Sequence, residues 1–113
     1  MSLDRSYKNE PVSTDTLFVE ELADNCLRFL VSLDLDTSTA ERLQAIEQRF
    51  AAAVYLHDGR SQADKKRTLC QSMFNLLEDI SPKGCFFGLH PGEPGRLGFW
   101  DKSIRFNHHR RPL

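Results

Sequence analysis

The sequence predicts a small α+β domain: three amphipathic α-helices followed by a C-terminal β-hairpin or small antiparallel sheet. Two observations carry this. Apolar residues recur at three- and four-residue steps through three stretches between residues 15 and 80, which is the spacing of one helix face. From Cys85 onward that period disappears, and short aromatic runs alternate with glycine and proline, the punctuation of strands and turns. At 113 residues the chain has room for one core. It divides into a flexible arm at 1–12, a single domain at 13–107, and a basic tail at 108–113.

The arm is read from the polar start, which has no apolar period and ends at Pro11. Ser13, Thr14 and Asp15 then offer caps for a first helix over Asp15 to Leu33. Phe18, Leu22, Cys26, Phe29 and Leu33 form its stripe, widened by Leu17, Leu27, Leu30 and Val31 beyond the ~100° that a surface helix needs. Asp34 to Thr37 breaks it. Ser38 and Glu41 have capping-box spacing for a second helix. Its stripe runs Leu43, Ile46, Phe50, Ala53 and His57, and Gly59 is placed to end it. Ser61 and Asp64 start the third helix, with Leu69, Met73, Leu76, Leu77 and Ile80 on one side. Ser81-Pro82 stops it. Cys85 to Leu89 reads as a strand, Pro91 to Gly95 as a loop, Arg96 to Trp100 as a second strand and Ile104 to Phe106 as a third.

Composition excludes some classes. No apolar run is long enough to span a bilayer, so no membrane association is expected. The three cysteines, Cys26, Cys70 and Cys85, are an odd number with no close pair. That suits a reducing compartment, and the cytoplasm is expected. Charge is uneven along the chain: residues 1–82 carry a net −5 and residues 83–113 a net +4, suited to steering partners.

No constellation of catalytic residues is legible. Asp34-Leu35-Asp36 superficially matches a phosphatase nucleophile strand, but a chain this short has no room for that fold, and an interhelical turn explains the residues. A calcium loop would need a glycine and a terminal glutamate that are missing at the required spacing. His57, His90, His108 and His109 lack zinc-ligand spacing. Cys26 and Cys70 fall on apolar stripes and read as small buried hydrophobes. The glycines at 84, 88, 92, 95 and 98 lack the lysine and hydroxyl that complete a phosphate loop. Gly88 and Gly98 read as sites of close strand packing. No catalysis, metal or cofactor is expected.

Two functional readings remain. Three helices and a hairpin follow winged-helix order, with Lys65-Lys66-Arg67 opening the helix that would enter the major groove. Against this DNA-binding alternative, the chain is slightly acidic overall and the third helix carries a core stripe along its length. The other reading is a protein-binding regulator with no direct nucleic acid binding. Its partner- or dimer-binding residues are sought among the surplus apolar groups: Leu17, Phe18, Leu22 and Phe29 on the first helix, and Phe86, Phe87, Leu89, Phe99 and Trp100 on the strands.

The span from Leu17 to Ile80, followed by Cys85 to Trp100, resembles the small pseudomonad quorum-sensing antiactivators of the QslA type. The resemblance covers most of the chain without a diagnostic motif. It implies a non-enzymatic homodimer that binds a LuxR-type transcription factor, blocks its dimerisation and so keeps it off DNA.

Overall fold

A computed structural model describes residues 1–14, 18–55, 59 and 61–103. The element order is a 3₁₀ turn (Arg5–Tyr7), β1 (Pro11–Ser13), α1 (Val19–Val31), α2 (Thr37–Val54), α3 (Gln62–Asp79), β2 (Cys85–His90) and β3 (Glu93–Asp101). The α+β class and the order of helices before the C-terminal strands match the expectation. The strands form a three-stranded antiparallel sheet of order β1-β3-β2, so β3 lies in the middle.

The third strand comes from the opposite end of the chain. The segment expected as a free arm at 1–12 supplies β1, with Pro11 opposite Gly98 and Ser13 opposite Leu97. It also buries Leu3 to 7% exposure, and the Leu3 amide donates to the Ile80 carbonyl at 2.8 Å. Three residues are too few for an apolar period, and their strand state is set by the partner they pair with. The strand expected at 104–106 and the basic tail at 108–113 lie outside the described residues. β3 also starts earlier than expected, at Glu93, which shrinks the loop to a turn at Pro91–Gly92.

Two helix starts differ from the sequence reading. α1 begins at Val19, and Phe18 at its N-cap makes no side-chain capping bond. Ser13 belongs to β1, where its hydroxyl accepts from Asn25 Nδ2 at 2.9 Å. α2 begins at Thr37, and its cap is Asp36, whose carboxylate accepts from the Thr39 amide at 2.8 Å. A charged acceptor facing the positive helix end outcompetes the expected Ser38–Glu41 box. α3 starts as read: Ser61 Oγ accepts from the Asp64 amide at 3.1 Å.

α3 is the central helix. It packs on α1, α2 and β2, and six of its residues are buried. Cys26, Leu30, Met73, Leu76, Leu77 and Phe99 form the most enclosed part of the core. α2 packs chiefly on α3. One sheet face meets the helices through aromatic contacts, Phe74 with Phe87 at 5.6 Å and Phe29 with Phe99 at 5.8 Å, and on that face Phe87 and Phe99 touch across the strands at 5.3 Å.

Candidate partner-binding surface

The apolar residues singled out in the sequence separate into interior and surface. Phe99 and Trp100 are 0% and 2% exposed, and Phe86 is 6% exposed. These three are core residues and cannot line an interface, which corrects the expectation. Phe86 on β2 is paired with Trp100 on β3, and Phe99 packs between Phe29 and Phe87 on the other face. Trp100 lies on the face away from Phe99. Its indole N–H donates to the Gly88 carbonyl at 2.8 Å, its ring meets His90 edge-on at 4.8 Å, and the Arg96 guanidinium sits 5.6 Å from its centroid. Phe29 is half-buried between Tyr7 and Phe99.

The wide arc of α1 is mostly consumed by the domain itself. Ala23, Cys26 and Leu30 are buried, and Leu22, Leu27, Phe29 and Leu33 pack half-buried against them. Phe18, at 72% exposure, and Val31, at 62%, stay outside. Leu17 lies outside the described residues. Of the strand residues, Leu89 is 48% exposed and Phe87 half-buried.

Phe87 and Leu89 come together with Phe74 and Leu97 in a surface hollow of about 360 Å³ between α3 and β2. Glu78 closes one side of it. Its carboxylate accepts the outward Phe87 amide at 2.7 Å, and the Cys85 amide donates to the Pro82 carbonyl at 2.9 Å. Both bonds occupy the outer edge of β2, which limits strand addition there. The side chains above that edge remain open. Phe74 belongs to this surface although its spacing assigns it to the helix stripe; strand and helix meet here only in three dimensions.

A second depression was not legible in the sequence. It is a trough of about 310 Å³ between α2 and α3. Ile46, Arg49, Phe50 and Ala53 form one wall. Lys65, Thr68, Leu69 and Ser72 form the other.

All three cysteines are free and buried. Burial pushes the Cys26 thiol up to about 12 and the Cys70 thiol up to about 11, so both stay protonated and poorly nucleophilic near neutrality. Among the described residues no three His, Cys, Asp or Glu side chains gather as metal ligands. His57, His108 and His109 lie outside those residues. The basic residues that open α3 make contacts within the fold. Lys65 is 4% exposed, Lys66 approaches Asp24 at 3.8 Å and Arg67 pairs with Asp64 at 2.7 Å. A recognition helix presents one free face to the groove, whereas α3 is flanked by both other helices and β2. Among the described residues no helix is long and apolar enough to cross a membrane.

No protein-family profile matches the chain, and no curated protein or solved structure is significantly similar to it.

Proposed function

We propose that this chain is a non-enzymatic regulatory protein of the cytoplasm, a homodimer that binds a LuxR-type transcription factor and blocks its dimerisation and DNA binding. The observation that carries it is the uncovered apolar surface at the α3–β2 hollow, where Leu89 stands half-exposed beside Phe87 and Phe74. Apolar groups set on a rigid strand and helix offer anchors for a complementary face at little ordering cost. The resemblance to antiactivators supplies the partner. The interior position of α3 supports a protein partner over a nucleic acid.

The mechanism is competitive burial. A receptor that works as a dimer loses its active form when a regulator covers its dimer face. A standard interface buries ~1,600 Å² in total, more than the hollow alone supplies, so neighbouring surface of α3 and β2 contributes. Phe18 at the N-cap of α1 and Val31 at its other end are exposed apolar groups suited to self-association.

Gel-shift assays test the reading. The chain added to a LuxR-type receptor on its operator should release the DNA, and Leu89→Asp should weaken that release about tenfold or more, the effect of losing ~1.4 kcal/mol of binding. Light scattering should give a dimer mass that Phe18→Asp reduces. A shift of operator DNA by the chain alone, falling steeply with salt through counterion release, would overturn the proposal.

A further inference from the structure

We propose that His90 is a pH-sensitive latch on the end of the β2–β3 hairpin, and that its protonation loosens the α3–β2 hollow from behind. The sheet places the parts. His90 is the last residue of β2 and follows Leu89 directly. Side chains alternate along a strand, so Leu89 lines the hollow while His90 lies on the opposite face, against the buried Trp100. The ladder is irregular at this step: Leu89 pairs with Leu97, but His90 pairs with Glu93. A bulge disrupts the ladder locally, so side chains do more of the holding here.

Three contacts make the latch. His90 Nδ1 accepts the Gly92 amide at 3.0 Å, which closes the Pro91–Gly92 turn. The imidazole meets the Trp100 ring edge-on at 4.8 Å. The Arg96 guanidinium, 5.6 Å from the same ring centroid, is tied to Glu93 at 2.5 Å. The Gly92 bond needs a lone pair on Nδ1, so it exists only with the neutral ring. Protonation sets a second N–H against the Gly92 N–H and ends that bond. The new cation also shares an indole with Arg96, which repels it, and draws Glu93 away from Arg96. Each change works against the closed arrangement. Other carboxylates around these strands are engaged elsewhere: Glu78 of α3 accepts the Phe87 amide, and Asp101 at the far end of β3 pairs with Lys8. Histidine changes charge between about pH 5 and 8, where carboxylates and guanidinium groups in general keep theirs.

The effect reaches the hollow through the backbone. Leu89 and Leu97 stand opposite each other and line the hollow with Phe87. The latch fixes the turn that joins their strands just beyond them. Loosening that turn lets Leu89 leave the position that a partner's apolar face would meet. What the switch controls rests on the receptor reading; the switch itself does not.

The test takes the full chain from pH 8 to about pH 5, the interval in which imidazole gains its charge. Trp100 is the single tryptophan, so its emission reports on the latch directly. The emission should move to longer wavelength as water reaches the ring, and the Leu89 methyl resonances should shift over the same pH range. Receptor release from the operator should weaken about fivefold, the effect of one lost hydrogen bond. His90→Asn keeps an acceptor for the amide two residues on, as asparagine does in turns, and has no charge to gain. It should abolish all three responses. His90→Lys carries a cation throughout and should show the long-wavelength emission already at pH 8. A receptor that stays on its operator at every pH overturns the receptor reading alone, because the emission and methyl signals do not involve it. An unchanging Trp100 emission in the parent chain, the same pH response in His90→Asn, or Leu89 methyls that stay still while Trp100 responds would each overturn the latch.

Discussion

At Gly98 the middle strand has no room for a side chain. A Cβ there would stand 2.5 Å from the Glu10 carbonyl oxygen, 3.0 Å from Pro11 Cα and 3.1 Å from the Trp100 ring. Two of those neighbours are backbone, so they cannot swing away as a side chain does. At Gly88, on the facing strand, a Cβ would meet only the Phe86 ring at 3.5 Å, an ordinary contact. The sequence marks both glycines alike as sites of close strand packing, and the structure separates them. Gly98→Ala should destabilise the domain by about 1–3 kcal/mol, the usual cost of overpacking, and Gly88→Ala should cost far less. Urea denaturation of the two variants measures the difference; equal midpoints would show that β1 yields easily. The same crowding explains Phe99 and Trp100. Read as part of a lone hairpin, aromatics on both faces look like a surplus for a partner. In the folded chain Phe29 and Phe87 pack on Phe99 on one face, His90 and Arg96 pack on Trp100 on the other, and both rings are buried.

Helix existence was legible because each stripe repeats over three or more turns, whereas helix starts depend on which nearby oxygen wins the free amides. α2 and α3 show two kinds of winner. Ser61 caps α3 with a neutral hydroxyl, and Asp36 caps α2 with a carboxylate. The Thr39 side-chain and backbone hydrogen bonds hold the Asp36 carboxyl below its ordinary value. A carboxyl depressed on folding adds stability above its unfolded pKa, about 3.9, and loses that contribution as pH falls through the lower folded value. Ser61 has no such dependence. Ser61→Ala should therefore lower stability by about 1 kcal/mol at pH 7 and at pH 3 alike. Asp36→Ala should lower the melting temperature at pH 7, and the deficit should shrink as the pH drops below about 3.9. Calorimetry across that range checks both variants. A deficit for Asp36→Ala that holds constant from pH 7 to pH 2 would mean the carboxylate charge plays no part in the cap.

Across the whole molecule, the sheet is closed by the segment least legible in the sequence. Pro11-Val12-Ser13 has neither the length nor the alternation to announce a strand, and what makes it one is the free edge of β3, more than eighty residues away. The helices and the strands beyond Cys85 could be read because their signals are local; the N-terminal contribution is non-local throughout. It includes Leu3 in the core, the Asn9 amide donating to the Phe99 carbonyl at 2.8 Å, and Lys8 pairing with Asp101 at 2.8 Å. That pairing, together with the Ser103 amide, holds the Asp101 carboxyl well below the usual carboxylate range. Removing residues 1–13 should therefore do more than trim an arm. It exposes the space under Leu3, where burial of one leucine contributes about 1.5–3 kcal/mol, and it strips the hydrogen-bonding partner from one side of β3. Domains of this size have only about 5–15 kcal/mol in total, and each kcal/mol moves the melting point by about 4–8 °C. A chain beginning at Thr14 should melt at least ~10 °C lower and aggregate on warming, because β3 then presents a bare hydrophobic edge. Lys8→Met in the full chain removes the ion pair while keeping the strand, and it should shift the melting point only slightly, since solvent still reaches both side chains of the pair. Should the shortened chain melt like the parent and stay monodisperse, β1 would be a passenger on the sheet, and the free arm read from the sequence would be the better description.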